Sequence, residues 1–180
     1  MKKNEVMGVR FNVTPRVRVR VIDSRDSKVK IKEKKKYPFK LDNDVIVTVF
    51  TSQFNFAFKI KSSYIWNGAD IPKPLWWLGS SKDNDYLIAS MVHDFMLEYK
   101  NFVYKDVLGS RIEIKKYRRL TSLIFRDILK KSDISTIKAN IMAWCVDAFQ
   151  LTINRKAWKI SQLENTSNIN VVNIQQGVPK

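Results

Sequence analysis

Cysteine is nearly missing from this chain. Cys145 is the only one in 180 residues, which excludes an intrachain disulfide and a multi-cysteine zinc site. It falls among apolar residues of an expected helix and reads as a small buried hydrophobe rather than a reactive thiol. Histidine is equally scarce, so imidazole chemistry rests on His93 alone. No run of about 18 apolar residues could span a bilayer, and no charged-then-apolar signal segment opens the chain. A soluble protein, made and used inside a cell or assembled into a particle, is therefore expected. There is no Gly-rich phosphate loop, no Gly-x-Ser-x-Gly elbow, no His-Glu-x-x-His helix and no internal repeat, which sets aside the mechanisms those motifs announce.

Acidic residues are also in short supply. The 33 Lys and Arg against 17 Asp and Glu leave a net charge of +16, which predicts attraction to nucleic acid, an anionic membrane or an acidic protein surface. Residues 1–40 hold 14 of those cations and four of the acids, so the N-terminal quarter is the electrostatic feature. Hydrophobic residues make up 44% of the chain, with five Trp, six Tyr and ten Phe. That is enough to bury a real core in one domain. We assign that domain to residues 1–164. Residues 165–180, polar and rich in Asn and Gln, read as a tail or a segment that orders on a partner.

The periodicities predict an α+β fold, an N-terminal antiparallel sheet packed with about three C-terminal helices. Arg16 to Val21 and Lys28 to Lys32 alternate cationic and apolar residues around Asp23-Ser24-Arg25-Asp26-Ser27, the pattern of a β-hairpin. Arg16, Arg18, Arg20, Lys28, Lys30 and Lys32 would then share one basic face. Asp44 to Thr51 and Phe54 to Lys61, joined by Ser52-Gln53, read as a second hairpin with its phenylalanines toward the core. From Asp83 the period becomes helical. A first helix, capped by Asp83 or Asn84, runs to about Tyr99, a second covers Ile112 to Lys131, and a third runs from Ser135 to about Lys159. The stripe of Ile137, Ile141, Trp144, Cys145, Ala148, Phe149 and Thr152 on the third helix is expected to be core.

Site chemistry should sit near Trp66-Asn67-Gly68-Ala69-Asp70-Ile71-Pro72 and the following Trp76-Trp77, sixteen residues before His93-Asp94. Gly68 permits positive φ and close approach of backbone to a ligand. The Asn67–Pro72 loop is thus either a binding turn or a turn that delivers Ile71 and Pro72 to the core. Trp66, Trp76 and Trp77 are read as buried, with stacking or protein contact as the other use. Adjacent helical residues diverge by about 100°, so one of His93 and Asp94 is expected to face the loop while the other caps or pairs. Either His93 is a general base or metal ligand, with Asp70, Asp94 or Glu98 as carboxylate partner, or it hydrogen-bonds the loop and locks it on the helix. A lone histidine with scattered carboxylates is a thin supply for a divalent ion, and neither metal nor cofactor is expected.

These segments resemble a bacteriophage and prophage family, a domain of unknown function. Its core reads Thr-Asp-Gly-Ala-Ser-Ile-Pro, an aromatic cluster, then a helix with Ala-x-x-x-His-Asp. Asn67-Gly68-Ala69-Asp70-Ile71-Pro72, Trp76-Trp77 and Ala89 to Asp94 match that order, and Thr121 to Leu129 is similar to its later Ala-Asp-x-x-Phe-x-x-x-Leu segment. The resemblance covers roughly residues 58–150 and implies a phage origin. Asn67 and Ser122 stand where the family commonly carries aspartate, and Asp70 stands where it has serine. If those carboxylates serve a reaction or a metal in relatives, these replacements imply its loss here.

The expected role is a small basic phage protein of the virion, a neck or tail component or packaged accessory. It would be assembled in the bacterial host cytoplasm and act through other virion proteins and non-specific DNA contact, alone or as a homo-oligomer. The alternatives are a hydrolase around His93, Asp94 and Asp70, and a free nucleic-acid-binding protein.

Overall fold

The computed structural model describes residues 5–20, 25–68, 84–109 and 112–152. Asp70, Pro72, Trp76, Trp77, Asp83 and the C-terminal tail lie outside the described residues.

The predicted α+β architecture is present, with two antiparallel sheets of three strands followed by helices. The first sheet has β1 (Val6–Phe11), β4 (Val45–Thr51) and β5 (Asn55–Ile60) in the order β1-β4-β5. The hairpin read from the sequence is β4–β5, with Val45 opposite Ile60, Val47 opposite Phe58 and Val49 opposite Phe56. All three of those valines are fully buried, with Phe58 and Ile60 beside them. At the turn Thr51 receives the amide of Phe54 on its hydroxyl at 3.0 Å, which satisfies a donor the ladder leaves free.

The second sheet, β2-β3-β6, corrects the basic hairpin. β2 (Val17–Val19) pairs with β3 (Phe39–Leu41), and β3 pairs in turn with β6 (Ile65–Trp66). Lys28–Lys36 is the helix α1, not a strand. Ser27 caps it, accepting the amide of Lys30 at 3.3 Å. Past Ile31 the run Lys32-Glu33-Lys34-Lys35-Lys36 offers no apolar alternation that a sheet face could bury. Lysine and glutamate both favour helix. On a helix Lys28 and Lys30 stand about 200° apart, so the six cations do not share one face. Lys40 lies opposite Arg18, and that like-charge pair is offset by an ion pair from Arg18 to Asp42 at 3.0 Å.

Three long helices follow, α2 (Asn84–Glu98), α3 (Ile114–Lys131) and α4 (Thr136–Thr152). Between α2 and α3 the segment Phe102–Val107 forms a π-helical turn that the sequence did not announce. α3 buries Tyr117, Leu120, Ile124, Phe125 and Ile128 at three- and four-residue spacing, and packs against α2, α4 and β1. Asp133 adopts φ +59° and Ile134 donates back to Leu129 O at 3.2 Å, so Ser132-Asp133 ends α3 as predicted.

α4 departs from its expected core role. Ala139, Met142 and Ala143 are buried, whereas Ile137 (72% exposed), Trp144 (68%), Leu151 (52%) and Phe149 (45%) are not. The apolar positions of α4 thus outnumber those that the fold buries. Among the described residues no helix is long and apolar enough to cross a membrane.

Candidate acid-base cavity

A cavity of about 520 Å³ opens between the second sheet and the helices. Tyr64, Ile65, Trp66, Asn67 and Gly68, around β6, form one wall. Ser90, His93, Asp94, Leu97 and Glu98 of α2 form another. Phe125 of α3 and Met142, Cys145, Val146, Phe149 and Gln150 of α4 close the remainder with Tyr37. No lysine or arginine is among the described residues that line it, despite the strongly cationic chain.

Helical geometry explains how neighbouring residues reach one space. Ser90, His93, Asp94, Leu97 and Glu98 spread over about 140° of the α2 surface, and the cavity wraps that arc. His93 and Asp94 therefore both line it, and Asp94 is the one of the two that pairs. His93 Nδ1 lies 3.3 Å from Asp94 Oδ1, and the ring is only 6% exposed. Phe125 meets the imidazole edge-on at 5.9 Å, which fixes the plane of the ring. His93 Nε2 is buried and has no hydrogen-bond partner among the described residues.

Trp66, 2% exposed, leaves its indole Nε1 in the same condition on the opposite wall. Both residues line the cavity, and among the described residues neither nitrogen is paired, which is unusual because buried polar groups are nearly always paired. Tyr64 stacks on Trp66 with centroids 6.0 Å apart and donates its hydroxyl to Glu98 Oε2 at 3.1 Å. Burial pushes the Glu98 carboxyl above the ordinary glutamate range, the Tyr64 hydrogen bond opposes this, and the nearby Asp94 adds to it. Tyr64 itself is held firmly protonated by burial, then by Glu98 and Asp94.

Neither candidate nucleophile in the wall is primed. Ser90 spends its hydroxyl hydrogen on Leu87 O at 3.0 Å. Burial pushes the Cys145 thiol up, away from the reactive thiolate. Cys145 is only partly buried and lines the cavity, so it is not the enclosed core residue the sequence implied.

Gly68 uses the freedom read from the sequence, with φ +89°. A Cβ there would stand 2.6 Å from Phe39 Cε2, so the turn also needs glycine for space. Asn67 and Gly68 reach the cavity with His93 and Asp94. Asp70 and Pro72 lie outside the described residues. Among the described residues no group of three His, Cys, Asp or Glu could hold a metal ion. Arg16, Arg18 and the α1 lysines are not among the residues that line the cavity, while Arg20 is tied to Glu33 at 3.1 Å and to Tyr37 O.

Behind the cavity Asp147 of α4, 6% exposed, binds three α3 side chains. Arg118 pairs with its Oδ1 and donates to its main-chain oxygen, Arg119 reaches Oδ2 at 3.3 Å, and Ser122 lies 3.4 Å from Oδ1. The cluster fixes α4 on α3, and so sets Val146 and Gln150 in the cavity wall. Sequence reasoning named His93, Asp94, Asn67, Gly68 and Glu98. It missed Tyr37, Tyr64, Phe125 and the α4 wall as site residues, because apolar and aromatic linings carry the same pattern as core.

A family model described as a protein of unknown function, DUF1353, matches residues 40–146. No curated protein and no solved structure matches the chain.

Proposed function

The chain belongs to the DUF1353 family of proteins of unknown function, and on that footing we propose that it is a phage-encoded hydrolase whose site is the His93 cavity. One observation carries the proposal: a buried histidine that lines a ligand-sized cavity has a carboxylate on Nδ1 and, among the described residues, no partner on Nε2. A carboxylate only accepts, so Nδ1 carries the hydrogen, and in the neutral ring Nε2 has the lone pair. Nε2 then takes a proton from a water held in the cavity as that water attacks the substrate. Asp94 orients the imidazole and stabilises its charged form, as carboxylate partners of catalytic histidines do. Burial favours the protonated form of Glu98, against the Tyr64 hydrogen bond, which makes it the side chain placed to pass a proton to the leaving group. Among the described residues the lining has two acidic side chains and no lysine or arginine, which favours an uncharged or cationic substrate, such as a glycan or a neutral ester, over a phosphoester. The phage origin rests on the Gly-Ala-x-Ile-Pro and His-Asp resemblance.

The test is a panel of chromogenic esters, glycosides, amides and phosphoesters, with His93→Gln and Asp94→Asn beside the parent. Turnover of a neutral substrate should fall about 100-fold or more in His93→Gln, with the melting temperature held within a few degrees. Activity unaffected by His93→Gln, or no turnover of any class, would refute the hydrolase.

A second reading, a virion neck, tail or packaged component acting by protein contacts, is favoured by the exposed Ile137, Trp144 and Leu151 stripe of α4. It predicts co-purification with particles, lost in Trp144→Ser. A protein absent from purified virions would count against it.

A further inference from the structure

We propose that Lys28, Lys32, Lys35 and Lys36 of α1 form a docking surface for the phosphate backbone of double-stranded nucleic acid, bound without regard to base sequence. α1 is a nine-residue helix with no buried residue. It lies outside the family-matched residues 40–146, so neither the shared fold nor the cavity accounts for it. At 100° per residue the four lysines fall within a stripe about 100° wide and about 12 Å long. All four are exposed and none forms an ion pair among the described residues, whereas Lys34, on the other side of the helix, is paired with Asp26.

Lys28 and Lys32, Lys32 and Lys36, and Lys32 and Lys35 stand three or four positions apart, where like charges destabilise a helix. This face of the helix thus carries self-repulsion that a polyanion would relieve. A strand of duplex rises about 3.4 Å per phosphate, so 12 Å of helix faces three to four phosphates, the number of lysines available.

The composition of α1 selects this partner over three other anionic ones. Val29 and Ile31 are two positions apart and point to opposite sides, leaving no apolar face to enter a membrane. No aromatic or apolar anchor sits within the stripe, as the centre of a protein interface would need. The Tyr37 ring lies against Lys36 Nζ at 5.0 Å and is also a cavity wall, which leaves no free platform for stacking single-stranded bases.

The experiment is fluorescence anisotropy of the full chain on a random-sequence duplex across 50–200 mM salt. Binding should weaken with a slope of log K against log salt of about −3.6, from about −0.9 for each of four phosphate contacts. Changing all four lysines to glutamine should flatten that slope by three to four, and changing them to arginine should keep it. A charge-matched control, Lys61, Lys115, Lys116 and Lys130 to glutamine, should leave the slope nearly unchanged. Equal losses in the stripe and control variants, preference for anionic vesicles over duplex, or no binding at low salt would each overturn the proposal.

Discussion

Replacing Gly68 with alanine separates backbone strain from crowding, because a second glycine supplies the control. Gly68 has φ +89° and an added Cβ would meet Phe39 Cε2 at 2.6 Å and Cδ2 at 3.1 Å. Gly109 has φ +55° and nothing within 4 Å of the same added atom. The left-handed backbone costs a residue with a Cβ about 1–2 kcal/mol, and this should be the whole effect of Gly109→Ala. Gly68→Ala adds the overpacking of a closed core, about 1–3 kcal/mol. Phe39 cannot yield freely, since it is 8% exposed and packs on Trp66 at 5.9 Å. The total is about 2–5 kcal/mol, which for a chain of this size lowers the melting temperature by roughly 4–20 °C. Denaturant unfolding of both variants, fitted with a common m value, gives the difference directly. If the two substitutions cost the same within about 0.5 kcal/mol, the close approach of Gly68 to Phe39 is not a constraint and the reasoning fails.

Asp147→Ala should cost about 3–5 kcal/mol in the same assay, because it leaves the buried Arg118 guanidinium without its carboxylate; a cost below 1 kcal/mol would show the cluster to be dispensable. Tyr117→Phe removes a buried hydroxyl that donates to Met96 O at 2.7 Å between α3 and α2, and should cost about 0.5–1.5 kcal/mol. Glu98 is raised in the fold, so its contribution is fully present below the ordinary glutamate range and is lost as pH rises through its folded value. Glu98→Gln should therefore gain melting temperature relative to the parent on going from pH 4 to pH 7, and a constant difference across that range would contradict the burial of the carboxyl.

The helices and the β4–β5 hairpin were legible because their burial follows one period each: Val45, Val47 and Val49 alternate, and Tyr117, Leu120, Ile124 and Ile128 recur by threes and fours. α1 was misread because Lys28-Val29-Lys30-Ile31-Lys32 alternates like a strand, while the deciding signals were the Ser27 cap and the absence of an apolar face beyond Ile31. The short strands β3 and β6 hold only three and two residues, too few to show a period. At the site, Gly68, His93 and Asp94 stood out by chemical type. Tyr37, Phe125 and Val146 did not, since a residue that lines a cavity and one that fills a core are chosen by the same hydrophobicity, and only tertiary placement separates them. On α4 the same ambiguity ran the other way, and Trp144 was read as core although it faces outward.

Because His93 is the only histidine, a long-range proton–nitrogen NMR spectrum of the imidazole-labelled protein reports one ring without assignment. The neutral ring should carry hydrogen on Nδ1 and a lone pair on Nε2, with the Nε2 resonance moving when a neutral substrate or product fills the cavity, and with the tautomer disturbed in Asp94→Asn. Hydrogen fixed on Nε2, unmoved by any cavity ligand and indifferent to Asp94, would make His93 a structural residue and remove the base on which the proposed reaction depends.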